Sequence, residues 1–168
     1  MAHKEQIEFC TYVMNKFPDM FRNKKVLDCG SFDINGNNRS LFTNCDYTGI
    51  DIMEGNNVDK VIPIHEHRGS YDFIISTEVL EHDKYWKLSL INMVSMLNKG
   101  GMLLVTCATT GRPEHGTTKT NPKDSPLTTD YYRNLTEKDF RSVLELSIFE
   151  EYSFSVNKEH KDLQFYGF

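Results

Sequence analysis

The chain has 168 residues, 39% hydrophobic and 26% charged, with a formal net charge of −5. That length buries the core of one domain of ordinary size, residues 1–168, and leaves no room for a separate substrate domain. The acidic balance argues against a general nucleic-acid binder, whose footprint is a basic face, and no stretch approaches the roughly 20 apolar residues of a membrane span.

Ile7, Cys10, Met14, Phe17 and Phe21 recur at spacings of 3, 4, 3 and 4, the apolar stripe of an amphipathic helix within residues 1–22. Pro18 ends or bends it. Val26-Leu27-Asp28 is a short buried strand that breaks into a turn rich in glycine and asparagine, Cys29 to Gly36. Gly30 lets the backbone pass close to a ligand with no Cβ in the way. Arg39 to Phe42 begins a short helix, and Tyr47 to Ile52 is a second strand. Its acid, Asp51, lies about twenty residues beyond the turn, where a carboxylate accepts hydrogen bonds from both ribose hydroxyls. Neither G-x-G-x-x-G nor G-x-x-x-x-G-K-[ST] occurs, so the expected ligand carries a ribose but no phosphates.

Only Met53 to Asn57 separates the second strand from a third, Val58 to Ile64, and only His65 to Ser70 separates that from a fourth, Tyr71 to Ser76. A parallel crossover takes roughly a dozen residues or more, so both connections are expected to lack a helix. Trp86, Leu90, Met93 and Leu97 step along a helix that Lys99-Gly100-Gly101 is expected to close. Met102 to Cys107 is a fifth strand. Residues 111–133 are polar and rich in Gly, Pro, Thr and Asn, the composition and length of a lid or substrate loop. Thr136-Glu137-Lys138-Asp139 is a capping box opening another helix. Ser147 to Val156 and Asp162 to Phe168 alternate as a final hairpin.

The run Val26 to Gly36 reads V-L-D-x-G-S-x-D-x-N-G and, with Asp51, resembles the first two motifs of class I S-adenosylmethionine-dependent methyltransferases. Ser31 and Phe32 stand where the commoner D-x-G-x-G-x-G returns to glycine. Thr77-Glu78-Val79-Leu80-Glu81-His82 matches the fourth-strand motif of that class, and Leu97 to Val105 its L-x-K-G-G-x-L-x-V segment, so the resemblance covers residues 24–107 in order. It implies an α/β fold, a Rossmann-like seven-stranded, mostly parallel sheet with an antiparallel C-terminal hairpin. Helix cover is expected to be reduced between strands two and three and between three and four. It also implies S-adenosylmethionine as cofactor and S-adenosylhomocysteine as product.

Carried over by resemblance, Gly30 and Ser31 approach the methionine half of the cofactor, with Asp28 and Gly36 in the same turn, and Asp51 holds the ribose. Ile52, Ile64 and His65 border the adenine, while Thr77 and Glu78 contact the cofactor by backbone or side chain. A nucleophile of high pKa also needs a base within hydrogen-bond reach. His82 after the fourth strand is one candidate, and Glu114 or His115 in the long loop is another. That loop carries Arg112, Lys119, Lys123 and Arg133 against Glu114, Asp124 and Asp130, compatible with an anionic small-molecule substrate.

No N-P-P-Y-type sequence follows the fourth strand and no Pro-Cys pair occurs, which disfavours adenine, glutamine and cytosine C5 as acceptors. Residues 1–6 lack the apolar core of a signal peptide. The cysteines, Cys10, Cys29, Cys45 and Cys107, show no C-x-x-C, so a reduced, cytoplasmic setting is expected. Neither cysteines nor histidines have zinc-ligand spacing, and no metal is expected. The reading is methyl transfer to a small molecule. Two alternatives are a non-catalytic module of the same fold and an enzyme that cleaves the cofactor.

Overall fold

A computed structural model describes residues 4–168; residues 1–3, the start of the stretch read above for a signal peptide, lie outside them. Strands β1 (Lys25–Cys29), β2 (Asp46–Asp51), β3 (Lys60–Val61), β4 (Tyr71–Thr77) and β5 (Leu97–Ala108) pair in parallel. β6 (Tyr152–Asn157) and β7 (Asp162–Gly167) form an antiparallel hairpin whose β7 pairs with β5. The sheet order is β3-β2-β1-β4-β5-β7-β6. Chain order reverses between β1 and β4, and a ligand crevice opens at such a switch, outside the carboxyl ends of the strands.

Successive side chains of the central strands go to opposite faces, as a strand period of two requires. Leu27, Ile74, Leu103, Val105 and Phe165 enter the core under α2 (Trp86–Ser95) and α3 (Glu137–Arg141). Val26, Phe73, Ile75, Met102 and Leu104 enter the second core under α1 (Lys4–Lys16) and the 3-10 turn Pro18–Phe21. Each fully buried side chain of this kind contributes about 1.5–3 kcal/mol. No helix connects β2 to β3 or β3 to β4, as the short connections foretell. Among the described residues no helix is long and apolar enough to cross a membrane.

The structure departs from the sequence reading at four places. In α1 the buried face is Gln6, Phe9, Cys10 and Val13, and Ile7 points outward. Gln6 turns inward because its Nε2 donates to Asn38 Oδ1 at 3.0 Å. β3 keeps two residues of the seven expected, because Asn57 takes a left-handed φ of 69° before it and Pro63 has no N–H to donate after it. α2 ends at Ser95, not at the glycines. β5 already begins at Leu97, and three more residues lie between Leu97 and Met102 than between their partners Tyr71 and Phe73. Lys99-Gly100-Gly101 is therefore a bulge, with Gly100 at φ 72° making the turn. Finally, the C-terminal hairpin's first strand starts at Tyr152, after a 3-10 turn at Leu146–Ile148. The capping box at Thr136 forms as expected, with Asp139 returning the bond.

Phe73 is fully buried and its ring meets those of Phe21 and Phe42 at 4.8 and 5.0 Å. Phe73→Ala is expected to destabilise the domain by about 3–5 kcal/mol, measured by urea unfolding; a loss under about 1 kcal/mol would contradict this packing.

Candidate active site

The crevice at the switch point is a cavity of about 300 Å³. All ten positions expected to hold the cofactor line it: Asp28, Gly30, Ser31 and Gly36 from β1 and its turn, Asp51 and Ile52 after β2, Ile64 and His65 after β3, and Thr77 and Glu78 at the end of β4. The turn after β1 is held against β2, with the amides of Gly30 and Ser31 donating to the Ile50 carbonyl at 2.8 and 3.0 Å. Gly30 sits at φ 80°, and a Cβ there would lie 2.2 Å from Val79 Cγ2, so only glycine lets the β1 and β4 turns meet. Further along, Asp33 accepts from the amide of Gly36 and from Asn37 Nδ2, closing the loop on itself.

Asp51 does more than face the cavity. Its Oδ2 accepts from the Phe32 amide at 3.1 Å and its Oδ1 from the Met53 amide at 3.0 Å. An ionised carboxylate offers about four lone-pair positions, so two remain for a ligand. Burial pushes the Asp51 carboxyl up, while the Met53 and Phe32 amides pull it down. Asp28 is more deeply buried, with its Oδ2 accepting from Tyr47 Oη at 2.7 Å and Asn57 Nδ2 at 3.3 Å. Desolvation dominates, and its carboxyl is pushed up to about 6.

On the far wall, Glu78 is a non-glycine residue at φ 57°. Its amide donates to the Thr106 carbonyl at 2.9 Å and its Oε1 accepts from Thr106 Oγ1 at 2.8 Å, two bonds that hold the strained backbone in place. His65 packs against Tyr85 with ring centroids 4.6 Å apart and the planes tilted by 42°, and its Nδ1 is buried without a hydrogen-bond partner among the described residues. Glu66 is exposed outside the cavity and His67 is buried against Tyr71 Oη, so neither joins the site.

His82 lines the cavity from a turn ahead of α2, not from a helix start as its sequence position suggests. His115 lies outside the lining, its ring 4.9 Å from that of His82, and Tyr132 packs edge-on against both. Burial first, then the neighbouring His115, lowers His82 to about 3, so it is neutral at physiological pH. Glu114 is exposed and accepts from Thr117 Oγ1. Residues 124–128, Asp130 and Tyr131 of the long loop form the remaining wall. Arg39, after the glycine turn, does not line the cavity and pairs with Asp59 on the surface.

Several lining residues escaped the sequence reading. Tyr85, Met53 and Leu127 carry no signal in one sequence. Asn38 belongs to the visible Asn37-Asn38 pair, but its role depends on a contact across 39 residues, donating to Thr77 Oγ1. Glu81, three residues beyond Glu78 in the same motif, lies just behind the lining and is fully buried. Burial first and then Glu78 push its carboxyl up.

Residues 1–145 match the model of a family described as "Methyltransferase domain". No curated protein matches the chain. Solved structures with the same fold include a 1,6-didemethyltoxoflavin-N1-methyltransferase from Burkholderia thailandensis with bound 1,6-didemethyltoxoflavin and S-adenosylhomocysteine. It is 14% identical with a TM-score of 0.59, over 99% of this chain and 91% of that one. The magnesium protoporphyrin IX methyltransferase of Synechocystis PCC 6803 with bound S-adenosylhomocysteine is 16% identical with a TM-score of 0.62, over 96% and 81%. N-methyltransferase NodS from Bradyrhizobium japonicum is 15% identical with a TM-score of 0.57, over 98% of both chains. At these identities the likeness is one of fold.

Because Asp28 titrates near 6 when folded and near 3.8 otherwise, the folded chain holds the extra proton between those values. Its contribution therefore falls as pH rises through that window and is lowest above it. Asp28→Asn is expected to remove this loss. The stability of wild type relative to Asp28→Asn should drop by roughly 2 kcal/mol between pH 4 and pH 6.5, read by urea unfolding at both; a constant difference would refute it.

Proposed function

The chain belongs to the methyltransferase-domain family, and from that premise we propose that its cavity binds S-adenosylmethionine and that the protein transfers the methyl group to a small organic acceptor. The observation that carries this reading is the convergence of the whole expected cofactor set on one cavity at the β1/β4 switch. The residues present fit that cofactor. Asp51 keeps lone pairs for two ribose hydroxyls, and the aromatic His65–Tyr85 pair, whose His65 Nδ1 has no partner among the described residues, suits a nitrogen heterocycle. Among the described residues, Asp28, Asp51, Glu78, Asp83, Asp124 and Asp130 line the cavity against Lys84, which favours a cationic ligand and disfavours a pyrophosphate.

S-adenosylmethionine supplies a methyl group already activated on a sulfonium. The protein's work is then to place the acceptor in line with it and to exclude water. Gly30 and Ser31 border the methionine half, Asp51 fixes the ribose, Ile52, Ile64 and His65 enclose the base, and Thr77 and Glu78 close the wall beneath. His82 borders the acceptor space, with His115 behind it. Residues 124–131, within the 111–133 loop, cover the acceptor, and Leu127, exposed at the lip, supplies apolar surface.

The loop's basic residues are compatible with an anionic acceptor, and the arrangement of its charges supports a different reading. Arg112 pairs with Asp162 and Arg133 with Asp139, while the loop's acids Asp124 and Asp130 face the cavity. A neutral or cationic acceptor fits better.

S-adenosylhomocysteine is expected to bind more tightly than NAD or ATP in calorimetry, and Asp51→Ala to weaken it by about 1–3 kcal/mol. Normal binding by that variant would remove Asp51 from the ribose site. Incubation with methyl-labelled S-adenosylmethionine and a fractionated metabolite extract is expected to move label onto a small molecule. Cofactor breakdown without a labelled acceptor would replace transfer by cleavage, and neither outcome would leave a binding module.

A further inference from the structure

Glu81 is fully buried, and neither of its carboxylate oxygens has a hydrogen-bond partner among the described residues. Burying a carboxylate unsatisfied is costly, and buried charges are normally paired or bound to a metal ion. Two nitrogen donors stand beside it. His82 Nδ1 is buried and also without a hydrogen-bond partner among the described residues. His115 Nδ1 lies 3.1 Å from the Pro113 carbonyl oxygen. Donating there, the ring keeps its lone pair on Nε2, and such a bond to a backbone carbonyl is how metal-ligating imidazoles are oriented. One ligand atom from each of Glu81, His82 and His115 lies within 4.8 Å of the others.

The surroundings hold this arrangement. Tyr132 packs edge-on against both imidazoles at 5.5 and 4.9 Å. Gly116, at φ 68°, lies so close to the His82 ring that a Cβ there would be 2.8 Å from His82 Cε1. The Arg133 amide donates to the Glu81 carbonyl at 2.9 Å, tying the far end of the loop to the same turn.

We infer that Glu81, His82 and His115 form a binding site for one divalent first-row transition-type cation, with zinc(II) the best match. Two imidazoles and a carboxylate suit zinc, iron or nickel, whereas magnesium and calcium prefer oxygen alone. Three protein ligands leave a coordination position open, as in catalytic zinc centres. His82 also lines the cavity, so the open position serves an oxygen or nitrogen of the methyl acceptor; this last step rests on the methyl-transfer reading, and the cation site itself does not. There His82 and His115 act as ligands and not as general bases, since the cation itself lowers the pKa of a bound acceptor group.

The test uses the full chain stripped with a chelator, then titrated with zinc(II) or magnesium(II) by calorimetry, with metal content measured after gel filtration. Zinc is expected to bind at one per chain, to raise the melting temperature, and to outcompete magnesium. Glu81→Gln, isosteric in the core, and His115→Ala, in the half-buried loop, are expected to weaken zinc by more than the roughly 10–100-fold that losing an outer-shell partner costs. S-adenosylhomocysteine affinity, measured on the same samples, should stay within about twofold and certifies that each variant is folded. Cobalt(II) titrated into wild type gives an independent readout, the visible absorption of a low-coordinate nitrogen–oxygen site. No zinc uptake by wild type, or unchanged uptake in both variants, overturns the proposal. Zinc bound through these residues with no S-adenosylhomocysteine bound would support the cation site and refute the methyl-transfer reading.

Discussion

The site depends on one steric constraint, the absence of a side chain at Gly30. The turn leaving β1 must pass directly against Val79 in the turn leaving β4, and no Cβ fits between them. Because it passes there, the Gly30 and Ser31 amides reach the Ile50 carbonyl and the Phe32 amide reaches Asp51. The ends of β1 and β2 are thereby joined by short bonds, and the end of β4 is held against them by the Gly30–Val79 contact. A larger residue at position 30 would separate the two turns and open the floor of the cavity. Local chain conformation here sets the geometry of a site assembled from elements more than 40 residues apart in sequence.

Around that constraint the polar groups are arranged in chains. Gln6 of α1 donates to Asn38, and Asn38 donates to Thr77 at the end of β4, so the N-terminal helix is tied to the cavity wall through a buried amide. Glu78 reaches Thr106 on β5 across the sheet. Such satisfied networks rigidify a wall at low cost, whereas a buried group left unpaired in a low-dielectric setting is expensive. The same comparison singles out Glu81. It lies three residues from Glu78, fully buried, and lacks the hydroxyl partner that Glu78 has.

Charge is divided in a similar way between the sheet and the loop. The basic side chains of residues 111–133 are used as fasteners, Arg112 to the β6–β7 turn and β7 and Arg133 to the capping residue Asp139. Its acids Asp124 and Asp130 face the cavity, beside Ser125, Leu127, Thr128 and Tyr131. The loop is anchored at both ends by these ion pairs and tied within by bonds such as Thr118 N–H to the Thr129 carbonyl.

The sequence by itself determined the order and type of the central elements. Val26-Leu27-Asp28, Tyr71 to Ser76 and Met102 to Cys107 are buried apolar strands whatever surrounds them, and the glycine turn followed by Asp51 marks two of the strand ends that line the cavity. The short links after β2 and β3 foretold the missing crossover helices, because chain length is a local property. Tertiary structure decided the rest. Whether Lys99-Gly100-Gly101 caps a helix or bulges a strand depends on β4 pairing with β5, and the face of α1 that is buried depends on Asn38 waiting for Gln6. Whether the long loop presents its bases or its acids depends on Asp139 and Asp162. His115 meets Glu81 and His82 only because residues 111–133 fold back over the end of β4. Periodicity and turn chemistry are written in neighbouring residues, but the partner of a buried polar group is not, since it arrives from anywhere the chain can return to.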